Sequence, residues 1–154
     1  MRIMDPQNLK SALSGKLGKS LLDYQVLNGK RVLMQVPKGQ LIEAASFLYQ
    51  DQRMRFITAS AMDVVGGYEI IYHFSDDSSG LIVNLKVALE GEKAQVESLA
   101  RVFKSAEWIE REIQELFGIE FLNSPHKEKF LLAEDWAAGQ YPLRRSYQKK
   151  LEKN

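Results

Sequence analysis

Met54 to Leu89 reads MRFITASAMDVVGGYEIIYHFSDDSSGLIVNLKVAL, and this stretch decides the fold. Leu81, Val83, Leu85, Val87 and Leu89 alternate without a break, the period of a strand with one buried face. Tyr68 to Phe74 (YEIIYHF) is rich in β-branched and aromatic side chains, which fit a pleated surface. Met54 to Asp63 is a further strand, with Ile57, Ala59 and Ala61 expected on one face and Phe56, Ser60 and Met62 on the other. Gly66-Gly67 and the polar turn Asp76-Asp77-Ser78-Ser79-Gly80 separate the runs. Connections this short carry no crossover, so the strands form an antiparallel meander.

Upstream, Arg31 to Pro37 (RVLMQVP) alternates Val32, Met34 and Val36 and reads as another strand. Gln40 to Gln52 is helical, with Leu41, Ala44, Ala45, Leu48 and Tyr49 as its apolar stripe. Asp5-Pro6 suits a helix start, and Leu9, Leu13 and Leu17 give a short helix ending near Gly18. Downstream, Val96, Leu99, Ala100 and Phe103 predict a helix over Glu92 to Lys104. Ser105 then serves as N-cap for a helix over Ala106 to Phe117, stopped by Gly118. The order β-α-β-β-β-α-α predicts an α+β domain: a four-stranded, mostly antiparallel sheet with helices packed on one face. Residues 1–119 form this core, and residues 120–154 form an extended C-terminal docking tail.

A chain of 154 residues, 45% of them hydrophobic, is one domain with a real core. Charge is balanced at 21 basic against 20 acidic residues, so no global field points to nucleic acid or an anionic membrane. Cysteine is absent, which excludes thiolate-held iron–sulfur clusters, Cys-ligated zinc, disulfides and a cysteine nucleophile in this chain. No apolar run reaches the ~18–20 residues that span a bilayer. MRIMDPQNLKSAL has no apolar signal core. The chain is expected in the cytoplasm or peripheral to something larger.

Enzyme signatures are missing. Gly66-Gly67 joins strands and opens no helix, so it is no phosphate loop. His73 lies mid-strand and His126 in a polar stretch; Asp76-Asp77 reads as a solvated turn before it reads as a cation site. The helix over 106–117 is richer. Trp108, Ile109, Ile113, Leu116 and Phe117 crowd one broad face, Glu112 falls inside the apolar arc and Arg111 borders it. A carboxylate on an apolar face is costly unless paired. Beyond Gly118 come some 30 residues without regular pattern, still bearing Phe130, Leu131, Trp136, Tyr141 and Leu143. Such a segment lies along a surface, its own or a neighbour's.

Glu110-Arg111-Glu112-Ile113-Gln114-Glu115-Leu116-Phe117-Gly118-Ile119 resembles the signature of the 30-kilodalton subunit of respiratory complex I, the NADH-quinone oxidoreductase. That signature runs Glu-Arg-Glu, two variable residues, an acid, two apolar residues, then Gly-Ile, and Trp108 upstream also fits. Pro142-Leu143-Arg144-Arg145-Ser146-Tyr147 is similar to the family's closing Pro-Leu-Arg-Lys-Asp-Tyr/Phe. The likeness covers roughly residues 30–147. Departures exist: Asn123-Ser124-Pro125 stands for Gly-His-Pro, Glu128-Lys129 for a basic pair, and Ser146 for Asp. The ending from Leu131 to Arg144 looks closer to related subunits of membrane-bound energy-converting nickel–iron hydrogenases.

The resemblance implies a cofactor-free, non-catalytic subunit in the hydrophilic arm of a membrane-anchored, ion-translocating redox complex. It implies a place on the cytoplasmic side of the membrane, peripheral to the membrane subunits. The expected neighbours are the large catalytic subunit, which forms a quinone or nickel–iron site, and iron–sulfur subunits. The residues expected at partner contacts are Glu110, Arg111, Glu112, Trp136, Tyr141, Arg144 and Arg145, with Arg111 and Glu112 bracing the helix end and the tail residues docking. Catalytic, cofactor-binding and metal residues are expected to be none. Two other readings stand beside this one. A small enzyme would use Glu110, Glu112 and Glu115; a nucleic-acid module would use Arg144, Arg145, Lys149, Lys150 and Lys153.

Overall fold

The computed structural model describes residues 4–151. Helix α1 (Pro6–Leu17) begins as its sequence demands: the Asp5 carboxylate accepts from Gln7 N and Asn8 N, and Pro6 occupies the first position. Leu9, Leu13 and Leu17 are its buried stripe. Then follow β1 (Asp23–Asn28), β2 (Arg31–Gln35), α2 (Leu41–Ser46), β3 (Arg55–Val64), β4 (Gly67–Asp76), β5 (Leu81–Glu90), β6 (Gln95–Glu97), α3 (Glu107–Phe117), β7 (Glu120–Leu122) and α4 (Arg145–Leu151).

The α+β class holds, but the main sheet has five strands, not four, in the order β1-β2-β5-β4-β3. The added strand is β1, antiparallel to β2 at the sheet edge. It carries no buried alternation, since Val26 and Leu27 remain 46% and 55% exposed, so it left no period to read. Tyr24 ties it down by donating its hydroxyl to Pro6 O at 2.6 Å. β2 runs parallel to β5, while β3, β4 and β5 form the expected meander. One face, with Val32, Met34, Val83, Leu85, Ile70, Tyr72 and Phe74, shares a single core with the buried residues of α1, α2 and α3.

Three expectations about the helices are corrected. No helix covers Glu92 to Lys104. Gln95–Glu97 instead forms β6, paired in parallel with β7, followed by 3-10 turns at Leu99–Arg101 and Lys104–Ala106. Val96, Leu99 and Phe103 are buried as a helix would bury them, but pairing with β7 requires extended backbone. Ser105 sits inside the second turn, and Ala106 takes the N-cap position of α3 with no side-chain cap. The helix expected over Gln40 to Gln52 is α for only Leu41–Ser46 and widens to a π turn over Phe47–Asp51.

β3 also departs from simple alternation. The register slips between Phe56, opposite Phe74, and Thr58, opposite His73. Ile57 is the extra residue of a bulge. Phe56 therefore joins Ala59 in the core, and Ile57 is 42% exposed at the edge of the sheet, the reverse of the expected sides. Among the described residues no helix is long and apolar enough to cross a membrane.

Candidate functional site

The signature helix α3 presents its charged residues in three directions. Successive residues turn about 100° around a helix, so Glu110 lies about 160° from Glu112 and about 140° from Glu115, which are themselves about 60° apart. Glu110 points inward and is 1% exposed. It accepts from Ser98 Oγ and, at 2.7 Å, from Leu99 N. Burial raises its pKa from the usual carboxylate range to about 7, against the opposing pull of those hydrogen bonds. This carboxylate pins the β6 segment to α3 and replaces the hydrogen bonds that a helix there would have made.

Glu115 points at the tail. Its carboxylate accepts backbone N–H groups from Phe130, from Leu131 at 2.7 Å and from Leu132 at 3.0 Å. Burial alone would raise its pKa, but this nest of N–H groups holds it below the ordinary value. Arg111 reaches the same segment from the other side, donating to Glu128 O at 3.1 Å and Lys129 O at 3.2 Å. Its guanidinium lies 5.3 Å from the Trp108 ring and 5.1 Å from the Phe130 ring. Lys129 then closes the loop on itself, donating to Ala133 O, Glu134 O and Trp136 O at 2.8–3.3 Å.

The tail is tied down again at its far end. Gly118 ends α3 in the left-handed region, φ +69°, and a Cβ there would lie 2.5 Å from the Tyr141 ring. Leu143 N donates to Leu116 O, and Arg144 Nε donates to Phe117 O at 2.6 Å. Both satisfy carbonyls that a helix C-terminus leaves open. Arg144 stacks on the Tyr141 ring at 4.3 Å and the Tyr68 ring at 5.4 Å. Arg145 holds Asp63 through its backbone N and its Nε, both at 3.0 Å, and donates to Val64 O at 2.7 Å. Trp136 Nε1 donates to Gln140 O. The tail thus has little regular structure because side chains, not a ladder, satisfy its backbone. Without contacts in view, that pattern was illegible in sequence.

The structure places the seven expected contact residues as follows. Glu110 is interior and acts on any partner only through the loop it holds. Arg111, Arg144 and Arg145 are engaged by this chain's own carbonyls and Asp63, while Trp136 and Tyr141 are half-buried against the tail. Glu112 is half-exposed, and among the described residues its carboxylate makes no hydrogen bond or ion pair. The three-glutamate enzyme reading loses its basis, because Glu110 is buried on the opposite side of the helix and Glu115 is occupied by the N–H groups of the tail. The nucleic-acid reading loses both arginines to internal contacts; Lys149 and Lys150 stay exposed, and Lys153 lies outside the described residues.

The remaining candidates are absorbed locally. Asp76 accepts from Ser78 and Ser79, and Asp77 takes Arg55 and Ser75. Among the described residues no group of three or more His, Asp or Glu is placed to hold a metal ion. His126 lies 3.7 Å from Glu107 and 3.5 Å from Glu128. His73, on the open sheet face, sits between Ser60 Oγ at 2.9 Å and Asn84 Oδ1 at 2.7 Å. Asn84 Nδ2 donates to Val32 O, so its oxygen faces the ring and Nδ1 carries the proton. That row joins four strands, β3, β4, β5 and β2, and was invisible in a single run of sequence.

Comparison with known proteins agrees with the signature. The C subunit of the NADH-quinone oxidoreductase of Citrifermentans bemidjiense is 30% identical over 139 residues, covering 88% of this chain and 84% of that protein. The C subunit of the F(420)H(2) dehydrogenase of Methanosarcina mazei is 27% identical over 148 residues, covering 94% and 93%. A chain of the membrane-bound sulfane sulfur reductase, an archaeal respiratory membrane complex, has the same fold, with TM-score 0.80 over 96% of this chain and 91% of that one at 21% identity. The family model for the 30-kilodalton subunit of respiratory-chain NADH dehydrogenase matches residues 34–153. The chain belongs to that family and is a subunit of a membrane-bound oxidoreductase complex.

Proposed function

We propose that this chain is an assembly subunit of the hydrophilic arm, seated beside the large catalytic subunit and the iron–sulfur subunits on the cytoplasmic side of the membrane. In this reading it carries no electrons. The metal centres belong to its neighbours, and the chain supplies a shaped surface that holds them in register. The docking surface is the tail from residue 120 onward together with the outer side of α3.

The observation that supports this reading is the way the tail is built. Arg111, Glu115, Lys129, Arg144 and Arg145 spend their charges on backbone groups and Asp63, fixing the tail's path. Phe130, Leu131 and Leu143 remain 37%, 53% and 45% exposed along it. Ordering so much chain costs conformational entropy, which these intramolecular contacts offset before any partner binds. A rigid, aromatic and aliphatic surface on a fixed path is what a protein interface favours.

The test is co-purification. A tag on the chromosomal copy of this chain should recover a membrane redox complex. Leu131→Asp and Leu143→Asp change exposed side chains outside the core and should lower recovery of the large subunit. Full recovery with both substitutions would remove the tail from the interface.

A further inference from the structure

We propose that the groove between β3, α3 and the tail docks an apolar segment of a neighbouring subunit that bears an arginine or lysine. This rests on the subunit reading above and deepens it by naming the chemistry of one contact. The groove encloses about 350 Å³. It is lined by Phe56, Ile57 and Thr58 at the β3 bulge, by Trp108, Ile109 and Glu112 of α3, and by Phe130 of the tail, whose ring lies against that of Trp108.

Three features select the occupant. First, the lining is apolar and open: Trp108 is 56% exposed, Ile57 42% and Phe130 37%. The bulge turns Ile57 out at an edge strand, which hinders strand addition there and leaves side-chain insertion as the mode of contact. Second, the Phe130 wall is fixed in advance, because Phe130 N donates to Glu115 and its ring meets Arg111 and, at 4.7 Å, Trp108. Little ordering remains to oppose binding. Third, the groove's charge is one-sided. Glu112 is the one ionisable side chain among the residues lining the groove, and its carboxylate has no partner among the described residues, whereas Arg111 is not among the lining residues and its guanidinium donates to Glu128 O and Lys129 O. A carboxylate in an apolar groove calls for a cation once water is excluded. Arginine satisfies both demands, since its guanidinium can pair with Glu112 and stack on the exposed Trp108 ring.

The test uses the assembled complex, purified through a tag on this chain. The photo-crosslinker p-benzoylphenylalanine replaces Trp108, and cross-linked peptides are mapped by mass spectrometry. The expected result is one peptide of another subunit with Arg or Lys within a helical turn of the cross-link. Glu112→Lys should then lower recovery of that subunit roughly tenfold or more, and reversing the partner's basic residue should restore it. Glu112→Gln, which keeps size and removes charge, should give an intermediate loss and carries the test if Glu112→Lys fails to fold by circular dichroism. Cross-links confined to this chain, a cross-linked segment without a basic residue, or unchanged recovery with Glu112→Gln in a complex that still co-purifies overturns the groove alone. A wild-type chain that recovers no redox complex overturns the subunit reading as well.

Discussion

Glu110 should give the protein a stability that falls as pH rises, which is unusual for a carboxylate in a fold's central joint. Its ordinary pKa of 4.5 applies when the chain is unfolded, and burial lifts it to about 7 in the fold. Between those values the folded protein holds a proton that the unfolded chain has lost. Stability from this group is therefore complete below about pH 4.5 and is lost as pH rises to about 7. A separation of this size corresponds to about 3 kcal/mol. Glu110→Gln keeps an acceptor for Leu99 N and abolishes the titration, and Ser98 Oγ can rotate to accept from the amide. The measurement is urea unfolding of both proteins at pH 5, 6, 7 and 8. The wild-type curve should drop relative to Glu110→Gln by up to about 3 kcal/mol across that range, with Glu110→Gln the equal or more stable protein at pH 8. Glu110→Ala differs, because it strands the Ser98 hydroxyl and Leu99 N–H and leaves a cavity, and should cost about 2–5 kcal/mol at every pH. Parallel pH curves for wild type and Glu110→Gln would refute the argument, since they would mean that Glu110 titrates alike in both states.

Other consequences are open to simpler measurements. Gly118→Ala places a methyl 2.5 Å from the Tyr141 ring at φ +69° and should cost about 1–2 kcal/mol from backbone strain alone; a raised rate of tryptic cleavage in the tail should accompany it, and wild-type resistance would mean the tail does not seat there. Glu115→Gln weakens a charge-assisted nest, so amide exchange at Phe130, Leu131 and Leu132 should accelerate about tenfold while the core amides stay protected. Tyr72→Phe removes a fully buried hydroxyl with no partner among the described residues, so the melting temperature should hold or rise by about 2–4 °C, and a fall would reveal a bond that the hydroxyl makes.

The sequence by itself determined the meander, because Leu81 to Leu89 and Tyr68 to Phe74 have one period and one buried face each. It also determined α1, through Asp5-Pro6 and the leucine spacing, and the end of α3 at Gly118, through a residue type that tolerates positive φ. The signature Glu-Arg-Glu through Gly-Ile was enough to name the family. Only the tertiary structure decided what those residues do. β1 is a strand because β2 offers it an edge, not because its own residues alternate. Gln95–Glu97 is extended because β7, some 25 positions later, pairs with it, and local spacing cannot report so distant a partner. Ile57 faces out because one extra residue in the ladder shifts everything before it by one side. The charged residues of α3 and the tail looked alike as letters. Their roles diverged because helix geometry sends Glu110 into the core, Glu115 to the tail's backbone and Glu112 to an open groove, and hydrogen bonds to backbone groups carry no sequence signature at the backbone end.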